Sequence, residues 1–579
     1  MKQASSSFAA AILACFFISS MCSGQTPETV ATRVPLLQDW STNTLMYPGE
    51  LSKSLTPEQM SDPRFLNAWL QRNPEWTRAR SLALQRAEQG GEQSGSTLVS
   101  AKPAPGSKHS KTDWAMSLGP TAGMPVGESP TKYSFDVTKP PSCANDFVVF
   151  VIGANAVAGT QANIVAFNNL YSGPGASFCN LANPTVLWSY AAGTGKVDLS
   201  PVLSLDGTKV AFIERRNTRS RFDVLTWVAG QGIDATTGSV APGAAGSSLS
   251  VLDYTNIPGN LNCPVSNSTS SNASPFVDYT NDVAYVAADN GRLYRINGVF
   301  NSTPAVAYCI TVNNNKTLTS PVWDSVSGKV YVSDGSKLYA FTPGANSFTA
   351  AGAPVTVANL TTDAVVISPV VDVTNGWVYV FGSSDVTGTH AVAAQVKADL
   401  SSSSIGFIGD ATTNYILYGQ VDNHYWNNGP LPTSTLYACG TQIGSGGANP
   451  SLYAFNFSNA GVMNPVPIMS DNRGVTTGAA AGACSPLVEF FDGIHDRIFV
   501  GVTGTNRVTM WGIGSQLTGA SLPSATAIGQ TGGTSSFCRD NFSAVPQASS
   551  IYFGTLGAGT TQCGNGNFCA VKLTQGTLQ

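Results

Sequence analysis

Four acidic residues recur at one spacing. Asp278, Asp324 and Asp372 each stand four residues after the serine of a Ser-Pro pair, and Glu489 does the same. If the segments that carry them share a register, the four carboxylates form an arc at one height. Such an arc suits a cation or a cationic ligand, with a structural calcium as the obvious case. The plainer reading is turn chemistry, because an Asp that closes a strand accepts hydrogen bonds from the amides of the next turn. A second cluster, Asp422, His424, Tyr425 and Trp426 in DNHYWNNGP, is a candidate binding group for the same mouth, although a strand with a polar end explains it as well. Other chemistry is absent. The four histidines, His109, His390, His424 and His495, contain no pair at zinc-site spacing, and there is no GxSxG elbow. No catalytic residue, cofactor-binding residue or cofactor is expected from these motifs.

The elements that hold the acids come from one repeated phrase. SPVWDSVSGKVYVSDGSKLYAF (320–341) is echoed by SPFVDYTNDVAYVAADNGRLYRI from Ser274 and SPVVDVTNGWVYVFGSSD from Ser368. Ser200-Pro201 and Ser485-Pro486 open further copies, and weaker ones start at Lys132, Asp422 and Asp540. Alternating Val and Tyr favour strands, and Asp-Gly or Asn-Gly pairs favour tight hairpins. Each unit is therefore a four-stranded antiparallel meander. Eight such units at roughly 45–75-residue spacing predict an all-β chain forming a single eight-bladed β-propeller. The last unit is one strand short, and DWAMSLG (113–119) ahead of the first unit supplies it. Trp114 would then match Trp188 of TVLWSY in role, and the ring would leave no open edge.

The remaining segments bound the molecule. Residues 1–24 read as a signal peptide, with one Lys, an apolar core from Phe8 to Ile18 and small residues beyond. Met21 stands where a lipidation site wants Gly or Ala, which argues against an anchor on Cys22. No later run is long enough to cross a bilayer. Residues 25–90 form an N-terminal extension with short helices, each opened by a cap and a proline: Thr56-Pro57, Asp62-Pro63 and Asn73-Pro74. Phe65, Leu66, Trp69 and Leu70 share one face, which reads as a small pack on the propeller wall rather than a docking helix. Arg72, Arg78, Arg80 and Arg86 read as its solvated side. Residues 91–111 are a Gly/Ser/Pro linker, and 112–579 is the propeller. Charged residues make up 11% of the chain, the net charge is −4 and no basic run occurs, so nucleic acid is excluded as a partner.

Nine cysteines follow the signal segment. Neighbouring positions pair Cys143 with Cys179, Cys263 with Cys309 and Cys439 with Cys484. Cys538 is left to take Cys563 or Cys569, and the odd count leaves one thiol over.

The phrase also carries a resemblance. From Lys132 to about Leu573 it resembles the repeats of pyrroloquinoline-quinone-type propellers, the eight-bladed quinoprotein alcohol dehydrogenase-like group. That group contains quinone-dependent dehydrogenases and non-enzymatic relatives. The dehydrogenases use a stacking Trp, a calcium, a catalytic Asp and often an adjacent-cysteine disulfide, and this chain has neither a Cys-Cys pair nor a CxxCH. The resemblance therefore implies a non-catalytic member. Related propeller groups share similar phrases, which leaves a seven-bladed ring as the alternative. The function expected is a secreted or periplasmic binding scaffold for a protein or polysaccharide partner at the cell envelope. The alternative is a channel-site enzyme, a quinone- or metal-dependent oxidoreductase or lyase. The enzyme question stays open and leans against.

Overall fold

The structure is a computed structural model. It describes residues 33–49, 55–73, 110–175, 177–217, 219–255, 263, 270–414, 416, 418–471, 483–491, 496–503, 506–513, 525–541, 547–559 and 562–575. The expected signal segment, the expected linker up to residue 109, His109, His495 and the helix expected after Asn73 lie outside these residues.

Eight antiparallel sheets succeed one another along the chain, so the ring has eight blades and not seven. Their spans are 131–190, 202–252, 276–311, 322–356, 370–410, 419–471, 488–529 and 538–575, numbered here as blades 1 to 8. The repeated phrase maps onto three strands. In blade 4, Val322–Asp324 is innermost, Lys329–Ser333 is next, and Lys337–Pro343 is third. The innermost strands start at the Ser-Pro side and finish at the acid side. The two ends of the ring are therefore called the Ser face and the acid face. Loops after first and third strands lie on the acid face, and the others lie on the Ser face.

The ring closes as the edge argument requires. Ser110–Gly119 pairs antiparallel with Phe568–Gln575 and becomes the outer strand of blade 8. Trp114 is buried there. Its Nε1 donates to the Leu170 carbonyl (3.0 Å), and its ring packs on Phe167 of blade 1. Trp188, on the outer strand of blade 1, packs on Trp227 of blade 2 in the same way. Beside Trp114, Lys572 and Asp113 form a buried ion pair (2.9 Å) that ties the closing strand to its neighbour.

Residues 33–49 and 55–73 do not sit on the propeller wall. The first group passes through the hub. Leu36–Gln38 pairs antiparallel with the innermost strand of blade 1, and Leu45–Met46 pairs in parallel with that of blade 5. Those blades face each other across an eight-membered ring, so the segment spans its diameter. Between them Asp39 caps a short turn, Trp40–Asn43. Trp40 Nε1 donates to Pro275 O of blade 3 (3.1 Å), and Asn43 Nδ2 donates to Phe537 O ahead of blade 8 (3.3 Å). The reason is local. Leu36-Leu37 and Leu45-Met46 are short apolar runs, and pairing with inner strands satisfies their amides while burying their side chains.

Two helices follow and cover the acid face. The first, α1 (Pro57–Met60), opens with the expected capping box. Thr56 N donates to Gln59 Oε1 (3.0 Å), and Gln59 N donates to Thr56 Oγ1 (3.3 Å). The second, α2 (Pro63–Arg72), is capped by Asp62. Arg64 on α2 is 1% exposed. It donates to Val277 O (2.7 Å) and Ser41 Oγ (2.6 Å) and lies over the Phe276 ring. Arg72 corrects the solvated reading, because it is folded into a buried ion pair described below.

Four disulfides form, at Cys143–Cys179, Cys263–Cys309, Cys439–Cys484 and Cys563–Cys569. The last corrects the expectation that Cys538 takes a partner. Cys563 and Cys569 meet across one loop of blade 8, while Cys538 lies on the innermost strand, buried against Gln38 and unpaired.

Candidate functional site

The acid face holds the sequence-predicted residues, and the hub segment covers it. Asp278 accepts from Thr280 N (3.1 Å) and Asn281 Nδ2 (2.7 Å). Asp324 accepts from Val326 N (2.8 Å) and Ser327 N (3.2 Å). Asp372 accepts from Thr374 N (3.0 Å), Asn375 N (2.9 Å) and the Tyr425 hydroxyl (2.6 Å). Burial pushes Asp372 up to about 6, against these hydrogen bonds, which favour its charged form. Asp422 continues the series in blade 6. It follows Tyr418 by four residues and caps α3 (Asn423–Asn428) through Tyr425 N (2.8 Å). Burial also pushes Asp422 up to about 6. His424 is exposed, with Nδ1 near Ser434 Oγ (3.2 Å), and Trp426 is buried.

Glu489 differs. It takes both Nη nitrogens of Arg72, with Nη1 at 2.6 Å from Oε1, and Arg539 Nη1 stands 3.4 Å from Oε2. Arg72 lies over the Trp426 ring and donates to Asn423 (2.9 Å). Asp540, four residues after Ser536, is a member of the series that the phrase-matching missed, and it pairs with Lys132 at 3.1 Å. Blades 3 to 8 thus each place an acid at one position. Every one of these acids is engaged by a turn, a cap or a cation. Among the described residues, no three His, Cys, Asp or Glu are placed to hold a metal.

The other end of the hub is open. A cavity of about 540 Å³ lies between the Ser-Pro serines and the hub segment, with Trp40, Asn43 and Thr44 at its floor. Its size is that of a small-molecule site. A second hollow of about 660 Å³ shares Pro125, Val126 and Asp198 with it and is lined by Ser-face loops, including Gly153, Asn414 and Gly532.

The first cavity's wall is built by the repeats themselves. Ser129 N donates to Ser200 Oγ (2.8 Å), Ser200 N to Ser274 Oγ (2.9 Å), and Ser274 N to Ser320 Oγ (2.8 Å), so adjacent blades are laced serine to serine. Glu128 is fastened to this lacing. Its Oε2 accepts from Ser200 N (2.7 Å), Ser200 Oγ (2.6 Å) and Ser274 Oγ (2.8 Å). Burial raises its pKa, with the serine hydrogen bonds opposing. The one cationic side chain on the wall among the described residues, Arg215, is already paired with Asp198 (Nε to Oδ1, 2.6 Å).

Sequence reasoning missed Glu128, although a signal existed. Ser129-Pro130 is one more copy of the phrase. Its serine is preceded by an acid, where other copies carry Leu199, Ala273, Thr319, Ile367 or Cys484.

No protein-family model matches the chain, and no curated protein matches it by sequence. Among solved structures it is similar to BamB from Moraxella catarrhalis, at 11% identity and a TM-score of 0.41, over 80% of this chain and 98% of that one. It is also similar to the RRP9 WD40 repeats, at 10% identity and a TM-score of 0.37, over 64% and 93%. A third is the dihydro-heme d1 dehydrogenase NirN in complex with DHE, at 8% identity and a TM-score of 0.39, over 71% and 73%. The quinone suggested by the repeat phrase is a tricarboxylate, and the wall does not fit it. Glu128 would repel the quinone, and Arg215 is committed to Asp198.

Proposed function

We propose that this chain is an exported binding scaffold that holds a protein or polysaccharide partner on its Ser face. The observation that carries this reading is the hub segment. With residues 33–49 crossing the ring and residues 55–73 covering the acid face, the interior opens toward the Ser face alone among the described residues. A channel that leads in from one side is a socket rather than a passage. The acids that chemistry would need are spent on turns, caps and Arg72. Four disulfides suit an oxidising compartment, and no helix among the described residues is long and apolar enough to cross a membrane.

Apolar side chains stand out on Ser-face loops: Leu360 is 54% exposed, Val386 59% and Ile443 72%. The test uses them. Purified chain is immobilised and challenged with an envelope extract of the source cell. A partner should be retained by the native chain and by the acid-face control Leu205→Asp. It should be lost from the triple variant Leu360→Asp, Val386→Asp, Ile443→Asp. Equal retention by both variants would sink the reading.

A further inference from the structure

The Ser-face cavity is chemically lopsided in a way that names its ligand. The lacing of serines uses up one oxygen of Glu128 completely, and among the described residues nothing donates to the other, Oε1. The lacing also runs out at Ser320. Its hydroxyl accepts from Ser274 N and, unlike those of Ser200 and Ser274, has no acceptor of its own among the described residues. One wall therefore offers a vacant acceptor and a vacant donor. A ligand that supplies both partners makes two hydrogen bonds that the wall itself leaves unmade.

The charge balance narrows the choice. Asp198 is paired with Arg215, and Asp363 at the rim is paired with Lys316 (3.1 Å), which leaves Glu128 uncompensated. A phosphate or carboxylate ligand would face that acid with no free cation among the described residues to hold it. A bare metal ion would find too few ligands, since no group of three acids, His or Cys converges among the described residues. Most of the remaining polar wall is neutral hydroxyl and amide, including Asn43, Thr319, Ser368 and Tyr418. Trp40 and the run Val365–Ile367 supply apolar surface against which C–H groups can lie. A polyol in ring form meets this description, since it gives and takes hydrogen bonds, carries no charge and has an apolar flank.

We infer that the cavity binds a neutral sugar, either free or as the terminal residue of a polysaccharide, with one ligand hydroxyl donating to Glu128 Oε1 and another accepting from Ser320. This rests on the reading that the Ser face is the working face, and it adds the class of ligand that the socket takes.

The test is titration calorimetry of the full chain with D-glucose, D-galactose, N-acetyl-D-glucosamine and the homologous tetrasaccharide of each. At least one should give a saturable one-site isotherm. A monosaccharide that binds as tightly as its tetrasaccharide marks a free sugar, and a stronger tetrasaccharide marks a chain end. Glu128→Gln should weaken binding about tenfold by removing the charge-assisted bond. Because Glu128 also braces Ser200 and Ser274, a second variant is needed. Val366→Trp narrows the cavity from a half-buried position without touching the serine lacing, and it should abolish the isotherm. Silence of all six sugars, binding of putrescine or Ca²⁺ in their place, or sugar binding untouched by Val366→Trp would each overturn the inference. If the sugars are silent while the Ser-face triple variant still loses its partner, this inference fails and the scaffold reading stands. If sugars bind while partner retention ignores the triple variant, the converse holds.

Discussion

Arg72 and Glu489, 417 residues apart, form a two-pronged ion pair that pins the end of α2 to the innermost strand of blade 7. Glu489 is fully buried and Arg72 is 9% exposed, so salt screens the pair little. Removing one partner of a buried pair costs more than the pair contributes, because the other charge stays behind. Arg72→Ala should therefore destabilise by about 3 kcal/mol, with Arg539 offsetting part of the loss. Amide hydrogen exchange should rise in 36–46 and 63–72 and stay unchanged in blades 2 to 4. Uniform exchange across the ring would show that the pair does not anchor the hub segment.

Asp372 and Asp422 set a pH dependence. Burial lifts both to about 6, against roughly 4 in an unfolded chain. Between those values the folded state binds more protons than the unfolded state. Their contribution is complete below about pH 4 and is lost as pH rises through 6. Each is worth on the order of 2–3 kcal/mol. Glu128 and Asp62, also lifted by burial, act with the same sign. The urea midpoint should fall between pH 5 and pH 7.5, and Asp372→Asn with Asp422→Asn should flatten that fall. A midpoint that climbs over the same interval would contradict the assignment.

Trp114 fastens the closing strand. Trp114→Ala opens a cavity between blades 8 and 1 and leaves the Leu170 carbonyl without its donor. The loss should be about 4 kcal/mol in chemical denaturation. Trp114→Phe should recover most of the packing but not the hydrogen bond. Equal stability of all three proteins would mean that the seam is held elsewhere.

The ring was legible in the sequence because its cause is periodic. Each copy of the phrase must bury both sheet faces, so each repeats the same apolar alternation and the same turn glycines. The closing strand was legible too, since a missing edge and a spare strand point to each other. The hub segment was not. Leu36-Leu37 and Leu45-Met46 are too short to carry a period, and their partners are chosen by the shape of a channel that only the assembled blades create. Arg72 looked like solvated surface for the same reason, since nothing near it in sequence announces Glu489. Sequence order makes Cys538 the neighbour of Cys563 and Cys569, whereas its position on an innermost strand keeps it away from the loop that joins those two. Glu128 is hard to see in the sequence because the recognisable part of the first blade begins only at Lys132, three residues past Ser129.

The closing strand has a consequence for biogenesis. Ser110–Gly119 is made well before its partner Phe568–Gln575. A growing chain therefore carries an unmated edge until the eighth blade has been made, together with a hub segment whose resting places on blades 5 to 8 do not yet exist. Closure of the ring has to wait for residues 568–575 to emerge, and the half-built sheets need shelter until then.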